Sequence, residues 1–312
     1  MVFTLINNIM VVKNLIVRIL GNDLDNLHGE SQTIDNLLFT LNNEPKFENT
    51  TKLFLLNRIL NKEKRKHIID ILTSRDITFF ELEFNYEDYK KIPILTSNIT
   101  HLAERIIQGE SITVSDKKEI SVGSIENRRY IMNINNARNW CIDYGKRNGY
   151  TWTFVFDSNA FLTNKMYDEI IHNIKDETEY ISIPQIRLSD SSLKNDDILN
   201  SPDKLETLSY YEHQLAFKNT SIHMFNPEIP YGTMDKGEML NALSVPGIWE
   251  TWLRDLDFIS ITQRKFTNVK CQILSKVIRL DPGNNNNSRE SNWTNRMAGT
   301  YKLIKYIETL YT

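Results

Sequence analysis

The chain has 312 residues, 40% hydrophobic and 10% aromatic, enough to bury one large core with a smaller C-terminal part beside it. Its formal net charge of −3 supplies no global field toward nucleic acid, and no Lys/Arg-clustered face stands out. Cys141 and Cys271 lie far apart in apolar surroundings, which points to two free thiols in a reducing compartment rather than to a disulfide framework or a thiolate metal site.

The first twenty residues are apolar but interrupted by Asn7, Asn8, Lys13, Asn14 and Arg18, without a basic n-region or a small-residue cleavage site. No stretch has the length of a membrane span, so a cytoplasmic location is expected. Residues 1–12 read as a short extension, with Met10 an alternative start. The apolar, β-branched run from Asn14 to Leu20 predicts a buried strand that leaves through the turn Gly21-Asn22-Asp23. Helical spacing over 31–43 aligns Ile34, Leu37, Leu38 and Leu41 on one face, with Ser31 as N-cap and Glu44-Pro45 as the stop. A second strand is predicted from Lys52 to Ile59, a helix from Lys62 to Ser74 and a third strand from Ile77 to Phe84. This β-α-β-α-β order predicts a parallel sheet wound with crossover helices.

Residues 86–125 contain Pro93 and polar stretches and predict helix fragments with a mobile surface loop. A helix is predicted from Glu126 to Arg147, feeding through Asn148-Gly149 into the strand Thr151 to Phe156, which ends at Asp157. A helix from Asn164 to Ile174, a strand from Tyr180 to Leu188, a polar loop over 189–206 and a short strand from His213 to Phe217 follow. The C-terminal third carries turn signals at Pro227, Pro230-Tyr231-Gly232 and Pro246-Gly247. An Asn run at 284–287 and an amphipathic helix near 297–310 close the chain. There is no internal repeat.

The segment Asn135 to Phe161 carries the most chemistry. A helix containing Ala137-Arg138-Asn139 leads into an apolar strand that delivers Asp157-Ser158-Asn159 at its carboxyl end, where ligands of open α/β sheets bind. A carboxylate with an oxygen donor two residues on suits a hard divalent cation, which would neutralise a diphosphate. The same three residues also suit an ordinary strand-to-helix turn, since Asp, Ser and Asn all favour turns and caps.

Ala-Arg-Asn followed by a helix, a glycine and an apolar strand ending in Asp-x-Asn resembles the donor-site region of GT-A glycosyltransferases, nearest to the family-2 enzymes. The strings ILGNDLDNLHGESQTIDNLLFTLNNEP, WTFVFDSNAF and IPYGTMDKGEMLNALSVPGIWETW resemble a group of GT-A-like proteins of bacteria and large DNA viruses, over most of the chain. The resemblance implies an α/β, Rossmann-like, mostly parallel sheet flanked by helices, with a nucleotide-sugar-binding core over 1–217 and a smaller C-terminal acceptor-side region over 218–312 packed on it. It implies transfer of a sugar from a nucleoside-diphosphate sugar to a glycan or protein acceptor. Arg138 and Asn139 would then face the donor, with Asp157 on the ribose or the metal. Arg18 of the first strand and Asn22 and Asp23 of its exit loop would lie on the donor side. Asp157 and Asn159 would hold Mn²⁺ or Mg²⁺. Asn159 stands where the family has a second acid, and a neutral amide weakens metal affinity or removes the dependence on metal.

An inverting transferase needs a carboxylate to deprotonate its acceptor. Glu212, before the strand starting at His213, is preferred, and Asp235 is the other candidate. Lys236 and Arg254 are bases able to neutralise a departing diphosphate, and His28 one that would reach a phosphate; each equally suits a solvated surface. Asp281 shapes a late turn. Tyr231, Trp249 and Trp252 suit either an acceptor platform or the core. Two other functions remain open. A non-catalytic nucleotide- or glycan-binding protein would keep the fold and a degenerate metal motif. A sugar nucleotidyltransferase would need a Gly-rich basic loop after the first strand, and Gly21-Asn22-Asp23-Leu24-Asp25 is acidic.

Overall fold

The computed structural model describes residues 13–24, 31–186, 213–232, 234–247, 249, 261–280 and 289–311. Its first half alternates strands and helices: β1 (Asn14–Leu20), α1 (Gln32–Asn43), β2 (Thr50–Asn57), α2 (Lys62–Ser74) and β3 (Phe79–Leu82). Four helices follow, α3 (Tyr86–Tyr89), α4 (Ser97–Ile107), α5 (Val114–Gly123) and α6 (Ile125–Met132), and then α7 (Ile134–Arg147). The remainder is β4 (Trp152–Asp157), β5 (Ala160–Phe161), α8 (Asn164–His172), β6 (Tyr180–Ile186), β7 (His213–Lys218), α9 (Gly237–Ala242), β8 (Cys271–Ile273), β9 (Val277–Arg279) and α10 (Arg289–Tyr311).

The strands form one α/β sheet in the order β3-β2-β1-β4-β7-β6-β9-β5, with β8 also on β6. β3, β2, β1 and β4 are all parallel, β7 is antiparallel to both neighbours, and β6 runs parallel to β8 and β9. The mostly parallel, helix-flanked sheet expected from the alternation is therefore present. All seven residues of β1 are buried. They have no alternating pattern because both faces of a central parallel strand are covered. Leu15, Val17 and Ile19 pack on one face with Ala137, Cys141 and Ile142 of α7. Leu20 packs on the other with Leu37 of α1 and Ile68 and Leu72 of α2.

Between β1 and β4 the winding reverses: β1 leads outward through β2 to β3, whereas β4 faces β7 and β6. Such a reversal opens a crevice at the carboxyl ends of the strands, because the connections on either side lead away from each other.

The segment 86–125 forms the expected helix fragments, α3 to α5, joined by short connections at 90–96 and 108–113. Ile99, Leu102, Ala103 and Ile106 of α4 and Ile120 of α5 form a second core with Met297, Tyr301, Ile304 and Ile307 of α10. Several elements differ from the sequence expectation. The helix expected over 126–147 breaks at Asn133, which adopts a left-handed conformation at φ 45°. An asparagine tolerates that region better than most residues, and its amide is held by the Asn57 Oδ1 at 2.9 Å. The C-terminal helix begins at Arg289, well before 297. Residues beyond 217 also enter the sheet, as β8 and β9. The expected loop at 189–206, the Asn run at 284–287 and residues 1–12 lie outside the described residues.

Candidate active site

α7 and β4 present the central groups. Gly145 of α7 lies so close to β4 that a Cβ there would meet Thr153 Oγ1 at 1.8 Å, so the helix carrying Arg138 is seated directly on the strand carrying Asp157. Arg138 Nη2 donates to Asp157 Oδ1 at 3.3 Å, and Arg138 Nη1 donates to Asp235 Oδ2 at 2.7 Å. Lys236 Nζ donates to Asp157 Oδ2 at 2.5 Å. Two acids and two bases thus alternate around one point at the carboxyl end of β4.

Buried amides fix these charges. Asn135 Oδ1 accepts from Arg138 Nη1 at 2.9 Å, while its Nδ2 donates to the carbonyls of Asn226 and Asp235. Gln214, fully buried at the start of β7, accepts from the Asp157 backbone N–H and donates to Asp157 Oδ2, both at 3.1 Å. Burial alone would push the Asp157 carboxyl up. The Lys236 ammonium, the Arg138 guanidinium and the hydrogen bonds from Lys236 and Gln214 outweigh it and hold the group well below the usual carboxylate range. Burial likewise opposes the charge on Arg138, and Asp235 and Asp157 override it. Asp157 keeps 28% of its side-chain surface exposed, so solvent reaches it.

An open cavity of about 440 Å³, wide to solvent, lies at the carboxyl ends of β2 and β3, lined by Arg58, Glu81, Leu82, Glu83, Asn133, Asn136 and Trp140. α7 links it to the charges, since Asn136 and Trp140 share the face next to the one presenting Asn135 and Arg138. Arg58 is left-handed at φ 50°, with its guanidinium over the Tyr130 ring at 3.8 Å.

The other expected donor-side residues serve the scaffold. Arg18 is fully buried, ion-paired with Glu44 and hydrogen-bonded to the Ala160 carbonyl at 3.0 Å, so its guanidinium is closed off from solvent. Asn22 clamps the turn after β2, donating to the Arg58 carbonyl and accepting from the Leu60 N–H. Asp23 accepts from Thr33 at the start of α1 and pairs with Lys64; Ser31, the expected cap, makes no capping bond. Asn139 is a two-point clamp on the Phe225 backbone, with both bonds at 2.9 Å, so both ends of its amide are engaged within the fold. Trp249 is 1% exposed and belongs to the core, not to an acceptor platform. Asp235 is engaged by Arg138, which suits a positioning role rather than a free base. Asn159 lies in the turn after β4, and its Oδ1 is buried without a hydrogen-bond partner. Glu212, His28, Arg254, Trp252 and Asp281 lie outside the described residues.

Sequence reasoning missed Asn135, Gln214 and Arg58. Neutral amides carry no motif of their own, and Gln214 lies 57 positions from its partner. Burial pushes both thiols up, Cys271 to about 12, so neither supplies a thiolate. Among the described residues no helix is long and apolar enough to cross a membrane.

No protein-family model matches the chain, and no curated protein matches it significantly. Solved structures match it at low similarity. A 4-diphosphocytidyl-2C-methyl-D-erythritol synthase from Anaerococcus prevotii is 10% identical, with 94% of this chain and 99% of that one covered and a TM-score of 0.31. Mouse xyloside xylosyltransferase 1 is 9% identical, with 81% and 77% covered and a TM-score of 0.31. A mannosyltransferase of S. cerevisiae in complex with GDP is 12% identical, with 79% and 61% covered and a TM-score of 0.28. At these scores the likeness says nothing about chemistry, which has to be read from the site.

Proposed function

We propose that the protein is a GT-A-like glycosyltransferase that moves a sugar from a nucleoside-diphosphate sugar to a glycan or protein acceptor. One observation carries the reading. Asp157 ends the central strand β4 at the winding reversal, reachable from solvent and bracketed by Arg138 and Lys236. A carboxylate held between two bases at the carboxyl edge of a parallel sheet is suited to a ligand that carries both hydroxyls and phosphates. In this reading the cavity beside Asn136 and Trp140 receives the nucleoside. Lys236 and Arg138 meet the charge that builds on the departing diphosphate, and Asp157 orients Lys236 and accepts from a ribose hydroxyl. Stabilising that developing charge with preset groups is the larger part of the catalysis asked of the protein. Glu212, next to His213 in sequence, takes the acceptor proton.

Release of nucleoside diphosphate from a panel of UDP-, GDP- and CDP-sugars tests this. At least one donor should turn over, and Asp157→Ala should slow it by roughly a hundredfold or more. Wild-type turnover in that variant would remove Asp157 from the site. Nucleotide binding with no turnover of any donor would favour a non-catalytic binding protein, the reading that Asn159 in place of the second acid also suits.

A further inference from the structure

Both oxygens of Asp157 are already engaged. Oδ1 accepts from Arg138, and Oδ2 accepts from Lys236 and Gln214, which uses both of its lone pairs. Mg²⁺ and Mn²⁺ take near-octahedral sets of oxygen ligands. What these two side chains leave over is one lone pair on Asp157 Oδ1 and Asn159 Oδ1, a single neutral donor. Among the described residues no group of three or more His, Cys, Asp or Glu is placed to hold a metal ion. A dication seated on Asp157 would also lie within a few ångströms of two fixed monocations, and their repulsion opposes it. The residues present do not fit a divalent cation.

They do reproduce its charge. Two acids and a dication sum to zero, and so do Asp157 and Asp235 with Arg138 and Lys236. An ammonium has three donors, and Lys236 spends one on Asp157, which leaves two for phosphate oxygens. We infer that the Lys236 ammonium, anchored on Asp157 and backed by Arg138, takes the place of the metal and binds the diphosphate directly, so that the protein uses its donor without a divalent cation. This rests on the reading of the site as a donor site.

Lys236 sits two residues after Met234, which is left-handed at φ 54°, and immediately before α9. The backbone there is set by tertiary contacts rather than by local preference: the Asp235 carbonyl accepts from Asn135, and the Glu238 carboxylate is held by Arg264 through two bonds at 2.7 Å. The ammonium is therefore delivered by a braced segment. A preset donor of this kind loses little entropy when a phosphate arrives.

The test is calorimetric titration of UDP, GDP, CDP and ADP into the full chain, once in excess EDTA and once in Mn²⁺, together with paramagnetic resonance of Mn²⁺ mixed with the protein alone. The expected result is one nucleotide bound with the same affinity in both buffers, and a free-ion Mn²⁺ signal undiminished by protein. Lys236→Ala should weaken that binding at least about tenfold, the worth of one charge-assisted hydrogen bond. Lys236→Arg should keep most of it, and a native circular-dichroism spectrum with a cooperative melt well above the titration temperature in both variants excludes a folding defect. Binding that appears only with Mn²⁺, or an attenuated Mn²⁺ signal, overturns the metal-free reading and leaves the donor site standing. Wild-type affinity in a folded Lys236→Ala variant also overturns it. No binding of any of the four nucleotides in either buffer overturns the donor site itself.

Discussion

Asp157 is charged in the fold because three groups, Lys236, Arg138 and Gln214, outbid its burial, and that has a consequence in acid. Its carboxyl titrates well below the ordinary range, so the stabilisation it brings is fully present above the unfolded value, near about pH 4. It is lost as the pH falls below that value toward the folded one. Asp157→Asn keeps the shape and discards the titration. In urea melts from pH 7 to pH 2, the wild type should lose stability below about pH 4 faster than the variant does. Parallel curves would mean that the pairing with Arg138 and Lys236 contributes nothing to the fold. Arg138 and Asp157 were legible as candidates because a helix-then-strand order places them at one edge of a sheet. Lys236 was visible only as a lone base in a loop, since nothing local marks a side chain whose partner lies 79 positions away.

At the level of elements, the geometry of the site depends on the seating of α7 on β4. Gly145 permits it, and Gly145→Ala would drive a methyl group into Thr153. Overpacking of this kind costs about 1–3 kcal/mol. Here it would also lift Arg138 away from Asp157, so nucleotide affinity should fall together with the melting temperature. Thr153→Ala removes the two atoms nearest the new methyl apart from its own Cβ. The double variant should therefore recover part of both losses; recovery of stability without recovery of affinity would show that helix position does not govern the site. The α1, α2 and β1 to β3 elements could be read directly because their apolar spacing is long and regular. β5, β8 and β9 have only two or three residues each, too few for a period to register. The break at Asn133 was hidden because apolar spacing continues through it, and only the turn of the backbone reveals it.

Across the whole molecule, the parallel half of the sheet announces itself through strand–helix alternation, while the half from β7 to β9 does not. Its strands are ordered by pairings between distant segments, such as Tyr180 with both Phe217 and Cys271. The second core is equally non-local: α4 and α10 come from opposite ends of the chain, and Gly299 of α10 lies so near Leu24 that a Cβ there would touch it at 2.8 Å. The charge cluster shares this character, since its members come from α7, β4, β7 and the segment before α9. In the unfolded chain these groups are strangers, and a ligand that needs them together recognises the native state alone. A true donor at a hundred times its dissociation constant should therefore add about 2.7 kcal/mol to the folding equilibrium, visible as an upward shift in melting temperature. Melting curves recorded against a library of sugar nucleotides would rank donors before any acceptor is known, and a library that moves the curve nowhere would count against a nucleotide ligand altogether.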